Sequence, residues 1–415
     1  MLGLMQLRQG IKCWINEKYK EKYVMKWKNK CHEFDEIGQR FKSIEKIYIY
    51  GAGENGTELY KALKNANVKI SFIDVDYKKQ REGYLGCEVI SPEDFFRRGK
   101  CDDERCLSIV SLGINSQTAV MKKFVFCGFK EGIDVYSYHS FYEFYLPIFL
   151  MYHSQKLYVK YLDVSLTQYC NLKCKECSIM SPYVKKPKHR GFESVCKDID
   201  MFFAKVDYVQ RFYLIGGEPL LYPYLEEVCD YVGSKYRNSI AHIIVYSNGL
   251  VPLKENLIQI MKKYNIEFQI SDYSKYLEKT EEKLSKFTSK LDENKIIYNR
   301  MIDLQWVDYG FRHPVTRTRT AECMESFFDN CGIDCRGLEN GKFYYCFVAK
   351  MNEKVLGYEE QEGEYFDLSE DKESTKMELL EFNLGYNDKG YINICERCKG
   401  SYLNNRNYIP VAEQL

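Results

Sequence analysis

Charge of one sign is what this chain lacks first. Its 415 residues carry 60 Lys and Arg against 59 Asp and Glu, a formal net charge of +1. There is no global basic field, which excludes a nucleic-acid binder that works by bulk charge. A long apolar run is also missing. The most apolar stretch, Phe144 to Tyr152, is too short to span a bilayer and contains Pro147, so no membrane insertion is expected. Met1 to Leu7 is apolar but runs into Arg8 and Lys12 without a small-residue cleavage site, so no secretory leader is read and a cytoplasmic location is expected. Proline is scarce, at 9 residues, and no internal repeat is visible. With 45% hydrophobic and 29% charged residues the composition is that of an ordinary globular chain, which excludes disorder and low complexity. The length suits roughly two to three domains.

Cysteine, by contrast, is abundant, at 17 residues. An odd, high count in a long chain is not a small disulfide scaffold. It points to a reducing compartment and to thiolates used for metal.

Residues 1–43 read as an amphipathic, Lys-rich helical segment with Trp14, Tyr23, Trp27 and Phe34 on its apolar side, a packing helix or cap. From 44 to 150 strands alternate with helices. Strands are expected at Lys46–Tyr50, Val68–Val75, Leu107–Leu112 and Ile133–Tyr136, and a helix at Gln117–Phe126, which implies a small parallel α/β domain. A second α/β series fills 158–310. Its strands are expected at Leu162–Leu166, Phe212–Ile215, Ile240–Tyr246, Glu267–Ile270 and Lys295–Tyr298, with the clearest helix at Phe192–Val206. Five unbroken β-α repeats suggest a barrel or partial barrel. The region 318–415 loses this rhythm and is rich in Cys, Gly, Glu and Tyr, with Glu359–Glu373 read as an acidic, solvated loop.

The first repeat of the second series carries Cys170, Cys174 and Cys177 just after a strand, spaced C-x3-C-x2-C. Three thiolates on one tight loop can hold three irons of a cubane 4Fe-4S cluster and leave the fourth iron open for chemistry. The alternative is a zinc site that borrows its fourth ligand elsewhere.

This loop resembles the signature of the radical S-adenosylmethionine (radical SAM) enzymes, and further motifs agree in order. Gly216-Gly217-Glu218-Pro219 is similar to the family's GGEP motif, Ser247-Asn248-Gly249 to its TNG-type turn, and Ser271-Asp272 stands where the family often has a polar residue near the ribose or carboxylate. The resemblance covers roughly Tyr158 to Met301 and implies a partial (β/α)6-type barrel. It implies that Cys170, Cys174 and Cys177 ligate the catalytic cluster. It also implies that Gly216 and Gly217 approach the amino and carboxylate groups of S-adenosylmethionine and that Glu218 supports the amino group. One departure is Glu176, where the family usually places an aromatic residue near the adenine.

Six cysteines lie beyond the barrel: Cys323, Cys331, Cys335, Cys346, Cys395 and Cys398. Gly341–Cys346 reads as a hairpin presenting a thiol, and Cys395-Glu396-Arg397-Cys398 as a C-x2-C knuckle. Such pairs suit a four-thiolate site. The pattern resembles the SPASM or twitch extensions of radical SAM enzymes, which implies a second, auxiliary 4Fe-4S cluster. The expected ligands are Cys335, Cys346, Cys395 and Cys398, with Cys331 competing with Cys335, Cys323 a spectator, and a structural zinc the alternative. Cys13, Cys87, Cys127, Cys196 and Cys229 lack metal spacing and read as small buried hydrophobes.

Gly51-x-Gly53-x-x-Gly56 follows a strand and opens a helix, the context in which this pattern binds a pyrophosphate. Asp74, at the end of the next strand, could take a ribose hydroxyl. The segment resembles small Rossmann-like domains found beside sugar-modifying and polysaccharide-biosynthesis enzymes, at about half the size of a full dinucleotide fold. A bound nucleotide or nucleotide-sugar and a scaffold without a ligand both fit.

The expected function is reductive cleavage of S-adenosylmethionine to a 5′-deoxyadenosyl radical. That radical abstracts hydrogen from a small-molecule or nucleotide-linked substrate, a sugar of surface polysaccharide biosynthesis being favoured. A flavodoxin- or ferredoxin-type protein would donate the electron, and oxidation, epimerisation or cross-linking would follow. Rivals are a maturase that acts on a ribosomal peptide and a non-catalytic metal- and nucleotide-binding sensor. His189, Tyr273, Trp306 and His313 are candidate pocket residues, each more readily plain structure.

Overall fold

A computed structural model describes residues 32–99, 105–302, 304–311, 320–331, 333, 335–369, 375–385, 389–401 and 405–415. Trp14, Tyr23, Trp27, Cys13 and His313 lie outside the described residues. The chain divides into two compact units, with the change from one to the other at Tyr158 and Val159.

The first unit is built on five strands: β1 Lys46–Tyr50, β2 Lys69–Ile73, β3 Val89–Ile90, β4 Cys106–Val110 and β5 Val135–Ser137. All pairs are parallel, in the order β3-β2-β1-β4-β5. The sheet is thus larger than the half-fold expected from the sequence. Its order reverses between β1 and β4, and this switch point is where ligands bind in open sheets of this kind. Alternating Ile47 and Ile49 are fully buried, which is why KIYIY settles as the central strand. The helix His32–Lys42 belongs to this unit and not to a separate segment. Phe41 packs edge-on against Phe149 at 5.5 Å, and Tyr152 OH donates to Asp35 Oδ1 at 2.6 Å. The helix Leu146–Ser154, the most apolar stretch of the chain, is buried in the same layer. No described helix is long and apolar enough to cross a membrane.

The second unit continues with β6 Tyr158–Ser165, β7 Tyr208–Ile215, β8 Ile240–Ser247, β9 Ile266–Ser271 and β10 Tyr298–Met301. Helices Phe192–Phe203, Leu225–Tyr236, Glu255–Tyr264 and Glu281–Glu293 connect them in turn. The strands run β10-β9-β8-β7-β6 in one sheet. The expected strand Lys295–Tyr298 is displaced. Lys295 takes a left-handed φ of 54° and ends the preceding helix, so pairing with β9 starts only at Tyr298.

The region 318–415 does not stand apart. After β11 Trp306–Val307 come β12 Gly337–Glu339, β13 Lys342–Tyr344 and β14 Tyr365–Asp367, which extend the same sheet to eight strands beyond β6. β12 runs parallel to β6, Gly337 opposite Asp163 and Leu338 opposite Val164. β15 Tyr408–Ile409 pairs antiparallel with β11. The acidic stretch is also less solvated than its composition suggests. Glu364 is buried and accepts from Tyr358 OH, Gln361 N–H and Ile394 N–H, while Glu360 is held by Lys342, Tyr344 and the buried Lys350.

One carboxylate fixes the β12–β13 hairpin. Its turn, Asn340-Gly341, has both residues left-handed at φ 54° and 72°. The two N–H groups of that turn, each at 2.7 Å, donate to the two oxygens of Asp198, which is buried on the helix Phe192–Phe203 and paired with Arg190. Asp198→Ala leaves the guanidinium of Arg190 and two turn donors without their acceptor. It should lower stability by about 3 kcal/mol, read as a fall in the urea midpoint at unchanged slope.

Candidate active site

The loops after β6, β7, β8 and β9 surround a cavity of about 460 Å³. Cys170, Cys174 and Cys177 line it together with Gly216, Gly217, Glu218, Ser247, Asn248 and Ser271. The sequence motifs are therefore brought to one place. Pro219 is buried at the start of the turn Pro219–Leu221, outside the cavity lining.

The cysteine loop is a series of tight turns, with Cys177 N–H donating to Cys174 O at 3.2 Å and Met180 N–H to Cys177 O at 2.9 Å. Burial pushes the Cys174 thiol up to about 11 and the Cys170 thiol up to about 12. Water cannot make these groups thiolates near neutral pH; a metal's positive charge can. Three thiols facing one cavity, Cys174 buried and Cys170 and Cys177 partly so, therefore fit an iron cluster as their partner.

The glycine pair is dictated by the protein itself. A Cβ on Gly217 would lie 2.2 Å from Tyr169 O, and one on Gly216 would lie 2.6 Å from Thr167 O. The loops after β6 and β7 touch there, and Gly217 N–H and Glu218 N–H donate to Thr167 O and Tyr169 O. Glu218 then joins the next loop. It accepts from Leu220 N–H at 3.0 Å, Ser247 Oγ at 2.8 Å and Asn248 N–H at 2.9 Å. Burial outweighs these bonds and raises its carboxyl to about 6. Three of the four lone-pair positions of the carboxylate are thus used by protein, leaving one for a cavity ligand. Asn248 Nδ2 donates to Asn171 Oδ1 at 2.8 Å, tying this loop to the cysteines. Ser271 Oγ donates to Tyr246 OH at 3.2 Å, and neighbouring Asp272 accepts from Arg300 Nε at 2.6 Å.

The rest of the cavity was missed in the motifs. Tyr161, Asp163, Tyr213, Tyr246 and Gln269 line it from inside the strands. The available signal was polar residues at every second position of otherwise buried strands, Tyr161 and Asp163 above all. Tyr273 and Trp306 do line the cavity, packed edge-on at 6.0 Å. His189 does not. It stacks on Tyr169 at 4.5 Å, hydrogen-bonds Thr167 Oγ1 through Nδ1 at 2.8 Å, and faces a separate cavity of about 210 Å³.

Cys335 stands apart from the other C-terminal thiols. It lines the cluster cavity and hydrogen-bonds Asp163, whose carboxyl is raised by burial to about 7. The thiols that act electrostatically on Cys395 are Cys331, Cys398 and Cys346. Cys331, Cys346, Cys395 and Cys398 are thus near enough to act on one another, whereas Cys335 faces the cavity. Register explains where Cys335 sits: β6 pairs with β12 at Gly337, and Asp163 N–H donates to Arg336 O at 2.7 Å, which holds Cys335 beside β6. Cys323 is exposed. Burial pushes Cys346 to about 12, while Gly400 N–H donates to Cys398 Sγ at 3.2 Å. Among the described residues no three His, Cys, Asp or Glu side chains stand close enough to share one metal ion. A cubane gives each thiolate its own iron, so its ligands need not converge on one point.

In the first unit the glycine loop lies at the end of β1. Gly51 has φ 109°, and a Cβ on Gly56 would lie 2.2 Å from Gly51 O. Gly53 differs: a Cβ there meets no protein atom within 4 Å. Asp74 does work within the loop, since Oδ2 accepts from Ala52 N–H at 2.7 Å and Oδ1 from Asp76 N–H at 2.9 Å.

Among solved structures, the chain is similar to BtrN in complex with AdoMet and 2-DOIA, at 17% identity over 62% of this chain and 98% of that one, TM-score 0.36. It is similar to anSMEcpe with bound AdoMet at 12% identity over 58% and 84%, TM-score 0.38. A third is SuiB of Streptococcus suis bound to S-adenosylmethionine, at 13% identity over 70% and 84%, TM-score 0.29. No curated protein matches the chain. Residues 164–289 match the family described as the Radical SAM superfamily. That span begins inside β6 and ends within the helix Glu281–Glu293, so it takes in the cysteine loop and the three loops that face it, and it marks residues 164–289 as a radical SAM domain.

Proposed function

We propose that the second unit is an enzyme that cleaves S-adenosylmethionine and uses the resulting radical on a sugar or nucleotide-linked metabolite. The observation that carries this reading is the convergence of three thiols and the Gly216–Glu218 and Ser247–Asn248 loops on one cavity. A 4Fe-4S cluster on Cys170, Cys174 and Cys177 would supply the electron that splits S-adenosylmethionine into methionine and a 5′-deoxyadenosyl radical. The chain's own residues prepare the site. Asn248 and Asn171 hold the turn above the cysteines, and Glu218 keeps one acceptor position facing the cavity. Asp163 holds its proton up to about pH 7 and orients the Cys335 thiol. Tyr161, Tyr213, Tyr246 and Trp306 give the cavity an aromatic lining.

A second cluster is proposed on Cys331, Cys346, Cys395 and Cys398, where it would exchange an electron or orient substrate. The preference for a nucleotide-linked substrate rests on the first unit. Its glycine loop sits at the switch point of a doubly wound sheet, and Gly53 leaves open space for a phosphate.

Cys174→Ala should abolish production of 5′-deoxyadenosine after reduction while the protein stays folded; a mutant that still makes it places the site elsewhere. Anaerobically prepared wild type should carry about eight irons per chain, and Cys331→Ala or Cys395→Ala/Cys398→Ala about four. Cys335→Ala should keep all of them. About four irons and one tightly bound zinc in wild type would instead mark a zinc knuckle. In the full-length protein, Gly53→Val should abolish nucleotide or nucleotide-sugar binding measured by calorimetry. A wild type that binds no such ligand makes the first unit a scaffold.

A further inference from the structure

The three thiols of the catalytic loop differ in where their hydrogen-bond donors come from. Cys170 Sγ accepts from Leu172 N–H at 3.4 Å. Cys177 is served by Ser181 and by the main chain of Ile179 and Met180. Both donor sets are local to the loop. Cys174 has its own main-chain N–H and also a donor from 240 positions away, where Gln414 Nε2 donates to its sulfur at 3.3 Å.

That contact belongs to a small sheet. Lys175 N–H donates to Glu413 O at 2.7 Å and Leu415 N–H to Lys173 O at 2.9 Å, so residues 413–415 lie antiparallel along the loop. Gln414 Oε1 accepts from Lys173 N–H at 2.7 Å. Because that partner is a donor, the oxygen end of the carboxamide must face it, and the NH2 end is left to face the sulfur. The NH2 group also donates to Ala412 O at 2.6 Å, and Ala412 is fully buried. The orientation of the side chain is therefore fixed at three points. The exposed Lys175–Glu413 pair at 3.5 Å adds little.

We propose that Gln414 is a positioning residue for the catalytic loop, gripping the Cys174 sulfur and the Lys173 main chain with one carboxamide and making a cluster on this loop easier to reduce. The proposal rests on the cluster reading above. Reduction adds negative charge to the cluster and its thiolates. An N–H aimed at a ligand sulfur stabilises the reduced state more than the oxidised one, which raises the potential.

Two variants separate the donor from the scaffold. Gln414→Glu keeps the shape and the acceptor for Lys173 N–H but removes the donor, whereas Gln414→Met removes both. Full-length wild type and both variants are loaded anaerobically and titrated potentiometrically at pH 8 with electron paramagnetic resonance detection. The signal perturbed by added S-adenosylmethionine is that of the catalytic loop. The expected result is an unchanged iron count and a midpoint shifted to more negative potential in both variants. An unchanged midpoint in Gln414→Glu overturns the proposal. Loss of the loop's irons from both variants also overturns it, since Gln414 would then be a clamp and not a tuner. A wild type with no S-adenosylmethionine-sensitive signal overturns the cluster reading itself and the proposal with it, so the wild-type spectrum tells the two failures apart.

Discussion

The pairing of β6 with β12 is the constraint on which the second unit depends. β6 carries the cysteine loop at its end and Tyr161 and Asp163 on its cavity face. With β7 on one side and β12 on the other it has no free edge, so the strand that aims the loop is held from both directions. The same pairing brings Cys335 to Asp163 and directs Cys346, just after β13, away from the cavity and toward Cys331, Cys395 and Cys398. Two thiol environments with different partners thus follow from one strand register.

The electrostatics of the cavity are those of groups kept neutral by burial. Asp163, Glu218, Cys170 and Cys174 are all raised by desolvation. Such a site is poor at holding its own negative charge and good at responding to a positive one, which is what a metal cluster or a sulfonium brings. Away from the cavity the opposite solution is used. The Lys350 side chain is 7% exposed and collects Glu339, Glu353 and Glu360, so that Glu360, from the stretch that looks like a solvated loop in the sequence, becomes an internal support.

The elements that could be read directly were those with a local cause. Lys46–Tyr50 emerges with its expected bounds because every second side chain is apolar and β-branched or aromatic. The catalytic motifs could be placed because each follows a strand whose end is marked by Gly, Asn or Ser. Lys295 could not be anticipated, since its left-handed turn is a response to the packing of the preceding helix and lysine carries no signal for it. The placing of Cys335 on the cavity has a similar origin. Spacing tells that a thiol is near a hairpin, but only register tells which side of the sheet it joins. Gln414 had no signal at all, because nothing in its neighbourhood along the chain connects it with Cys174.

The hold of Asp198 on the Asn340-Gly341 turn, across 142 and 143 positions, sets an order of events on the ribosome. The helix Phe192–Phe203 leaves the tunnel long before the hairpin that docks on it. The knuckle Cys395–Cys398 comes later still. Vectorial synthesis therefore makes the residues of the two thiol groups one after the other, and the later hairpin closes on a helix that has already been made.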